Sequence, residues 1–199
     1  LSDPDYTEHH LQVLWGVRHL LPPIGILHWS WSQWRGDYPP SRLDWQTLSA
    51  DDFDTTLRAA MLHRFGVSLR LPELRPELLE RLRVHVELFQ RELEPFVRDA
   101  VLQPLTESPE RGGFGERAPS IQLSHPDGRV LVAAFVLDGG RRPVALWPRG
   151  LDPDTTYTVT DLADGEGRRT SGSELLEEGL VPLGDDGVTS WLLLIAPAS

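Results

Sequence analysis

The chain has no cysteine among its 199 residues. That excludes disulfides, a thiolate zinc site and a cysteine nucleophile, and it fits a reducing compartment, so cytoplasmic placement is the expectation. No apolar run approaches the roughly 18 residues that a membrane-spanning helix needs. The opening LSDPDYTEHH carries neither a basic stretch nor an apolar core and does not read as a signal peptide. It also lacks an initiator methionine, and the chain reads as though it begins partway through a longer sequence. Basic charge is scarce: 19 basic residues face 30 acidic ones, a net charge of −11. That argues against nucleic acid or an anionic membrane as the main partner.

What is present is a foldable globular chain, 40% hydrophobic and moderately charged. Its length suits one ordinary domain, or a small domain with part of another. The chain turns on Ile24 to Trp34, read IGILHWSWSQW. A short apolar run bounded by Pro22-Pro23 and by polar residues predicts a buried strand. His28, Trp31, Trp34 and Arg35 then offer indole faces and polar donors of the kind that bind sugars. Four of the seven tryptophans (Trp29, Trp31, Trp34 and Trp45) fall in this segment and the polar loop just after it, which favours a ligand wall over four separate core positions. In a parallel α/β sheet or barrel, ligands sit at the carboxyl ends of strands.

Around that stretch the elements follow in order. Leu1 to Asp5 reads as the end of a strand, with Pro4 barring helix. Thr7 is the expected N-cap of a helix to Leu21, with Leu11, Leu14, Trp15, Val17, Leu20 and Leu21 on its apolar face. Ser49 or Asp51 caps a second helix expected to reach Phe65, closed by Gly66. A third starts near Pro76, carries Leu79, Leu82, Val86, Phe89 and Leu93, and stops at Pro95. After Leu105 the pattern changes to a Gly/Pro-rich connector, then to short β runs separated by turns such as Pro126-Asp127-Gly128 and Asp138-Gly139-Gly140. Such spacing predicts an antiparallel β-sandwich. The expected organisation is an α/β piece over 1–105, a linker over 106–119 and a β-sandwich over 120–199. Two strands cannot close a barrel or cover a sheet, so the rest of the α/β piece is expected upstream or from a partner chain.

The order of residues resembles the C-terminal portion of glycoside hydrolase family 36, the α-galactosidases and their relatives. Leu1-Ser2-Asp3-Pro4-Asp5 is similar to the family's Ser-Asp-x-x-Asp segment, and Pro22 to Trp29 takes the place of its last barrel strand. Leu57 to Met61 with Arg64 to Leu69 resembles its Arg-x-x-x-Ala-x-x-Gly-x-Phe-Gly-x-Glu-Leu helix and exit. Gly150-Leu151-Asp152-Pro153, Tyr157-Thr158-Val159 and Ser171 to Leu176 with Gly179-Leu180 resemble its C-terminal sandwich. The resemblance implies the terminal strand–helix units of a (β/α)8 barrel followed by that sandwich. It implies a retaining mechanism, in which two carboxyl groups about 5–5.5 Å apart serve as nucleophile and acid/base. Asp3 takes the acid/base position, and nothing in the chain matches the family's nucleophile segment. The implied substrate is an α-galactoside oligosaccharide, with His28, Trp31 and Trp34 as substrate contacts.

Neither a cofactor nor a metal is expected. His9 and His10 are neighbours and diverge on a helix instead of converging on an ion. A homo-oligomer is compatible with the sequence. These residues do not separate a hydrolase from a raffinose-synthase-like transferase of the same family. Two other classes compete: a non-catalytic carbohydrate-binding module using the tryptophan-rich loop, and an interaction domain docking its bare α/β face. The module predicts glycan binding by residues 1–199 alone; the interaction domain predicts a tight hetero-complex and no sugar affinity.

Overall fold

A computed structural model describes residues 7–31, 48–68, 71–110, 113–165, 167–182 and 187–198, with the backbone alone at 28–31 and 68. Contacts divide the chain into two units, Leu1–Arg98 and Asp99–Ser199.

The first unit opens with α1 (Thr7–Val17), which buries Leu11, Leu14 and Trp15 at helical spacing. The helix predicted to reach Leu21 ends at Val17. Pro22 forces Leu21 towards extended backbone, and the Arg18 guanidinium closes the turn on the Trp15 carbonyl. Leu20 is left 80% exposed. A 3-10 turn over Pro23–Gly25 follows, so the strand predicted from Ile24 starts later, as β1 (Leu27–Trp31).

Helix α2 (Ala50–Ala60) is capped by Ser49, whose hydroxyl accepts the Asp52 N–H at 3.1 Å. It stops short of the predicted Phe65. Leu57, Met61 and Phe65 recur every four residues and mimic a continuing helix, but Arg64–Ser68 forms a strand, β2. It pairs parallel to β1, with His28 opposite Phe65, Trp29 opposite Gly66 and Trp31 opposite Ser68. The Arg64 N–H extends the ladder to the Ile26 carbonyl at 3.0 Å. Gly66, predicted to close a helix, sits inside the strand.

Helix α3 (Pro76–Leu88) runs through a π turn at Phe89–Leu93 into α4 (Glu94–Asp99). Pro95 therefore does not end the helix. It lacks an N–H and would crowd the preceding turn of a regular helix, and the π turn widens that turn, with the Glu94 N–H donating to the Phe89 carbonyl. The buried stripe is Leu78, Leu82, His85 and Leu88, while the predicted Leu79 is 42% exposed. The solvated face carries pairs three and four apart, Arg83 with Glu80 and with Glu87. Hydrogen bonding to Arg83 holds the Glu80 carboxyl below its ordinary pKa.

Among the described residues the second unit is built on one six-stranded antiparallel sheet, where two packed sheets were expected. Its strands are β3 (Val101–Pro104), β6 (Ser120–Ser124), β7 (Val130–Phe135), β8 (Thr156–Asp161), β9 (Gly167–Ser171) and β10 (Ser190–Pro197), ordered β3-β6-β7-β10-β8-β9. A short hairpin, β4 (Pro109–Glu110) with β5 (Phe114–Gly115), lies within the predicted connector. Two further short runs of β composition, around Leu146 and Leu180, meet among the described residues in a single bridge, Leu146 with Leu180. With the short helix α5 (Gly172–Glu177) they lie over one face of the sheet. There Val130, Val132, Val159, Trp191, Leu193 and Ile195 pack with Leu146, Leu151, Leu175 and Leu180. The alternate residues Leu131, Ala133 and Phe135 of β7 are buried too.

A largely irregular cover needs polar fasteners, and buried Gln122 supplies one. Its side-chain oxygen accepts the Arg149 N–H at 2.8 Å, and its amide donates to the Arg149 carbonyl at 2.9 Å and to Ser124 Oγ at 2.8 Å. Next comes Gly150, at φ +74°, where a side chain would be strained. The Asp152 N–H then donates to the Tyr157 hydroxyl at 3.0 Å, and Asp152 Oδ1 accepts the Asp154 N–H at 2.9 Å. Ser171 caps α5 by accepting the Glu174 N–H at 3.2 Å. A Cβ on Gly172 would stand 1.9 Å from the Asp152 carbonyl oxygen. Burial works to raise the Asp127 carboxyl in the β6–β7 turn, but the Arg129 N–H, His125 and the Arg129 guanidinium together hold it below its ordinary value.

Gln122→Ala orphans both backbone groups of Arg149, and chemical denaturation is expected to show a loss of about 3 kcal/mol. Gly172→Ala is expected to destabilise the same unit, whereas Gly139→Ala, with open space where its Cβ would go, strains only its own backbone.

Candidate functional site

In β–α–β units ligands are taken up beyond the carboxyl ends of the parallel strands, here Trp31 of β1 and Ser68 of β2. The chain leaving β1 returns at Leu48 to start α2, and the chain leaving β2 passes a 3-10 turn at Leu71–Glu73 to start α3. Arg75 ties the two starts together. Its guanidinium donates to the Leu48 carbonyl at 2.6 Å and pairs with Glu77 at 3.0 Å. Beside Leu48, Ser49 Oγ also donates to the Asp52 carboxylate at 2.6 Å. The acidic first turn, Asp51 and Asp52, complements the positive end of the helix.

Lower on the same helices lies a partly buried ionic cluster. Asp54 of α2 bonds to Arg81 of α3, Arg58 stands 3.9 Å from the same oxygen, and His85 Nδ1 is 3.9 Å from the other. It holds α2 against α3 and so supports the strands that α2 connects.

Of the residues singled out from the sequence, His28 and Trp31 lie on β1, Trp31 as its last residue and not beyond it. Asp3 and Trp34 lie outside the described residues, as does the strand end expected over Leu1 to Asp5. The sequence reading passed over Arg75; an arginine just before the helix-opening Pro76 was the available signal. The Asp54 cluster was not singled out either, although its members are four apart on each helix, Asp54 with Arg58 and Arg81 with His85. Among the described residues no three His, Cys, Asp or Glu side chains gather as a metal site. A cleft of about 90 Å³ in the second unit has Val159, Leu180 and Leu193 in its walls and Asp161, Asp164 and Arg168 among its polar groups. Asp161 Oδ1 accepts the Ala163 N–H at 2.9 Å, the bond of a turn former.

This arrangement, a parallel strand–helix–strand unit followed by an antiparallel sheet, recurs in solved structures. AgaA, a family 36 α-galactosidase from Geobacillus stearothermophilus, superposes with a TM-score of 0.75 at 20% identity, over 98% of this chain and 25% of its own. The α-galactosidase from Lactobacillus brevis gives 0.75 at 16% identity, over 99% of this chain and 26% of its own. The galactosidase domain of the α-galactosidase-sucrose kinase AgaSK gives 0.75 at 18% identity over 98% of this chain. No protein-family model matches the chain, and no curated protein matches it. The likeness establishes the fold: along nearly its whole length the chain is built like a portion of family 36 α-galactosidases, and it spans about a quarter of their length.

Arg75→Met removes the bond to Leu48 and is expected to lower stability by about 1 kcal/mol, a charge-assisted bond discounted for its partial exposure. Thermal unfolding of the variant against Arg75→Lys measures this, with the lysine recovering part of the loss.

Proposed function

We propose that this chain supplies the last strand–helix units of a (β/α)8 barrel, and the β domain after them, to a retaining hydrolase of terminal α-galactosides. The observation that carries the proposal is the fold likeness to family 36 α-galactosidases across nearly the whole chain. The parallel β1–α2–β2 unit supports it, being the repeating element of such barrels. One of the likened structures, AgaA from Geobacillus stearothermophilus, was solved with stachyose, an α-galactoside oligosaccharide.

In this reading Asp3 is the acid/base. It protonates the glycosidic oxygen as the bond breaks and then takes a proton from the water that releases the sugar. The nucleophilic carboxylate comes from a barrel portion outside these 199 residues, on the same chain or a partner, and without it the chain hydrolyses nothing. His28 hydrogen-bonds substrate hydroxyls, while Trp31 and Trp34 stack on the C–H faces of the sugar. Assembly as a homo-oligomer in the cytoplasm belongs to the same proposal, as does the absence of any cofactor.

The coding sequence immediately upstream of Leu1 tests this first, and an in-frame barrel with an aspartate nucleophile is the expected result. A start site there would instead point to a free-standing module, to be assayed for glycan binding. In the complete enzyme, Asp3→Asn is expected to cut kcat/KM on α-galactosides with poor leaving groups on the order of 10³-fold. Trp34→Ala should chiefly raise KM, by about tenfold, if it lines a subsite.

A further inference from the structure

Three buried ionisable side chains of α2 and α3, Asp54, Arg58 and His85, meet in the first unit with a fourth, Arg81, whose side chain is 41% exposed. Asp54 is 8% exposed and His85 5% exposed. One Asp54 oxygen takes both guanidinium contacts, bonded to Arg81 and 3.9 Å from Arg58. The other accepts no hydrogen bond and stands 3.9 Å from His85 Nδ1. That Nδ1 lies 2.9 Å from the Arg81 backbone carbonyl, so it carries the hydrogen and donates it, and a second proton can add only at Nε2.

The charges decide what a second proton would do. With His85 neutral, two guanidinium groups face one carboxylate. Protonating the ring sets a further cation beside the Arg58 and Arg81 guanidiniums, on a ring that is itself almost wholly withdrawn from water. Asp54 and Arg58 on α2 and Arg81 on α3 are the charged groups that bear on the ring.

We propose that the α2–α3 junction is an acid-sensitive latch, closed while His85 is neutral and released when its ring is protonated. Because α2 connects β1 to β2, release loosens the strand pair whose carboxyl ends form the candidate site. The latch rests on contacts within the first unit and not on the hydrolase reading.

Burial, the largest influence, pushes the His85 pKa below its ordinary value; the Arg81 carbonyl and Asp54 oppose it, and Arg58 and Arg81 reinforce it. The folded pKa is thus lower than the unfolded one, so below about pH 6.5 the unfolded chain binds the extra proton first. The stabilisation is complete above that pH and drains away as pH falls towards the folded pKa.

Hydrogen exchange over residues 50–60 and 76–88, at about pH 7 and about pH 5.5 and corrected for the intrinsic pH dependence of exchange, tests the latch. Protection in the wild type is expected to fall several-fold at the lower pH, and in His85→Gln to stay constant, since the amide keeps a donor for the Arg81 carbonyl but cannot titrate. Equal losses in both proteins, or none in the wild type, would overturn the proposal. Should the variant fail to fold, the wild-type imidazole resonances decide by NMR: a His85 ring that titrates at or above the ordinary histidine range sinks the latch.

Discussion

Parallel pairing between Leu27–Trp31 and Arg64–Ser68 is the interaction on which the first unit depends. Parallel strands cannot be joined by a tight turn, so the pairing demands a long crossover, and that crossover is α2. Once α2 lies on the sheet it needs a neighbour for its outer side, and α3 fills the place through Asp54, Arg81 and His85. Arg75 then fixes the two helix starts against each other at the carboxyl ends of the strands. Each layer follows from the one before it, and the candidate site is where they converge.

The second unit answers a different constraint. One face of its sheet is covered by chain with little regular structure, and such chain must satisfy its own backbone groups while burying leucines. Gln122, Tyr157 and Asp152 meet that need with side-chain hydrogen bonds. This gives the recurrent motif pieces a physical meaning. Gly150-Leu151-Asp152-Pro153 is a turn that drops Leu151 into the core, Tyr157 receives that turn, and Ser171-Gly172 caps α5 where only a glycine fits beneath Asp152. In this unit the resemblance to family 36 rests on residues that pack, not on residues that react.

Legibility in the sequence tracked how local the deciding forces were. Helix α2 announced its start through Ser49 and an acidic first turn, and the strands around Val130–Phe135 and Ser190–Pro197 announced themselves by composition and flanking turns. Phe65 was misread because a four-residue recurrence fits a helix and a strand alike over so short a span, and pairing with distant Leu27–Trp31 decided the matter. The edge strands Val101–Pro104 and Gly167–Ser171 are largely exposed, and the second has no large apolar residue to mark it, since an edge has less to bury. One sheet in place of a sandwich was illegible for a related reason: Leu146 and Leu180 have β-type neighbours, but each contributes a single bridge. Of the candidate site, the strand bearing His28 and Trp31 was legible from its apolar run, while Arg75 and the Asp54 cluster join positions 27 residues apart and leave no local pattern.

The π turn at Phe89–Leu93 has a meaning for how this chain can vary. Leu88 and Leu93 are both buried yet five residues apart, one more than an α-helix allows for neighbours on a single stripe. The extra residue is absorbed in the wide turn, so Leu78, Leu82 and Leu88 before it and Phe96 and Val97 after it can face inward together. Losing one residue there would leave an ordinary helix with Leu88 and its partner four apart and the stripe still continuous. The helix thus holds a spare unit of length at the one point where removing it does not rotate either end, a natural seam for one-residue differences between related chains.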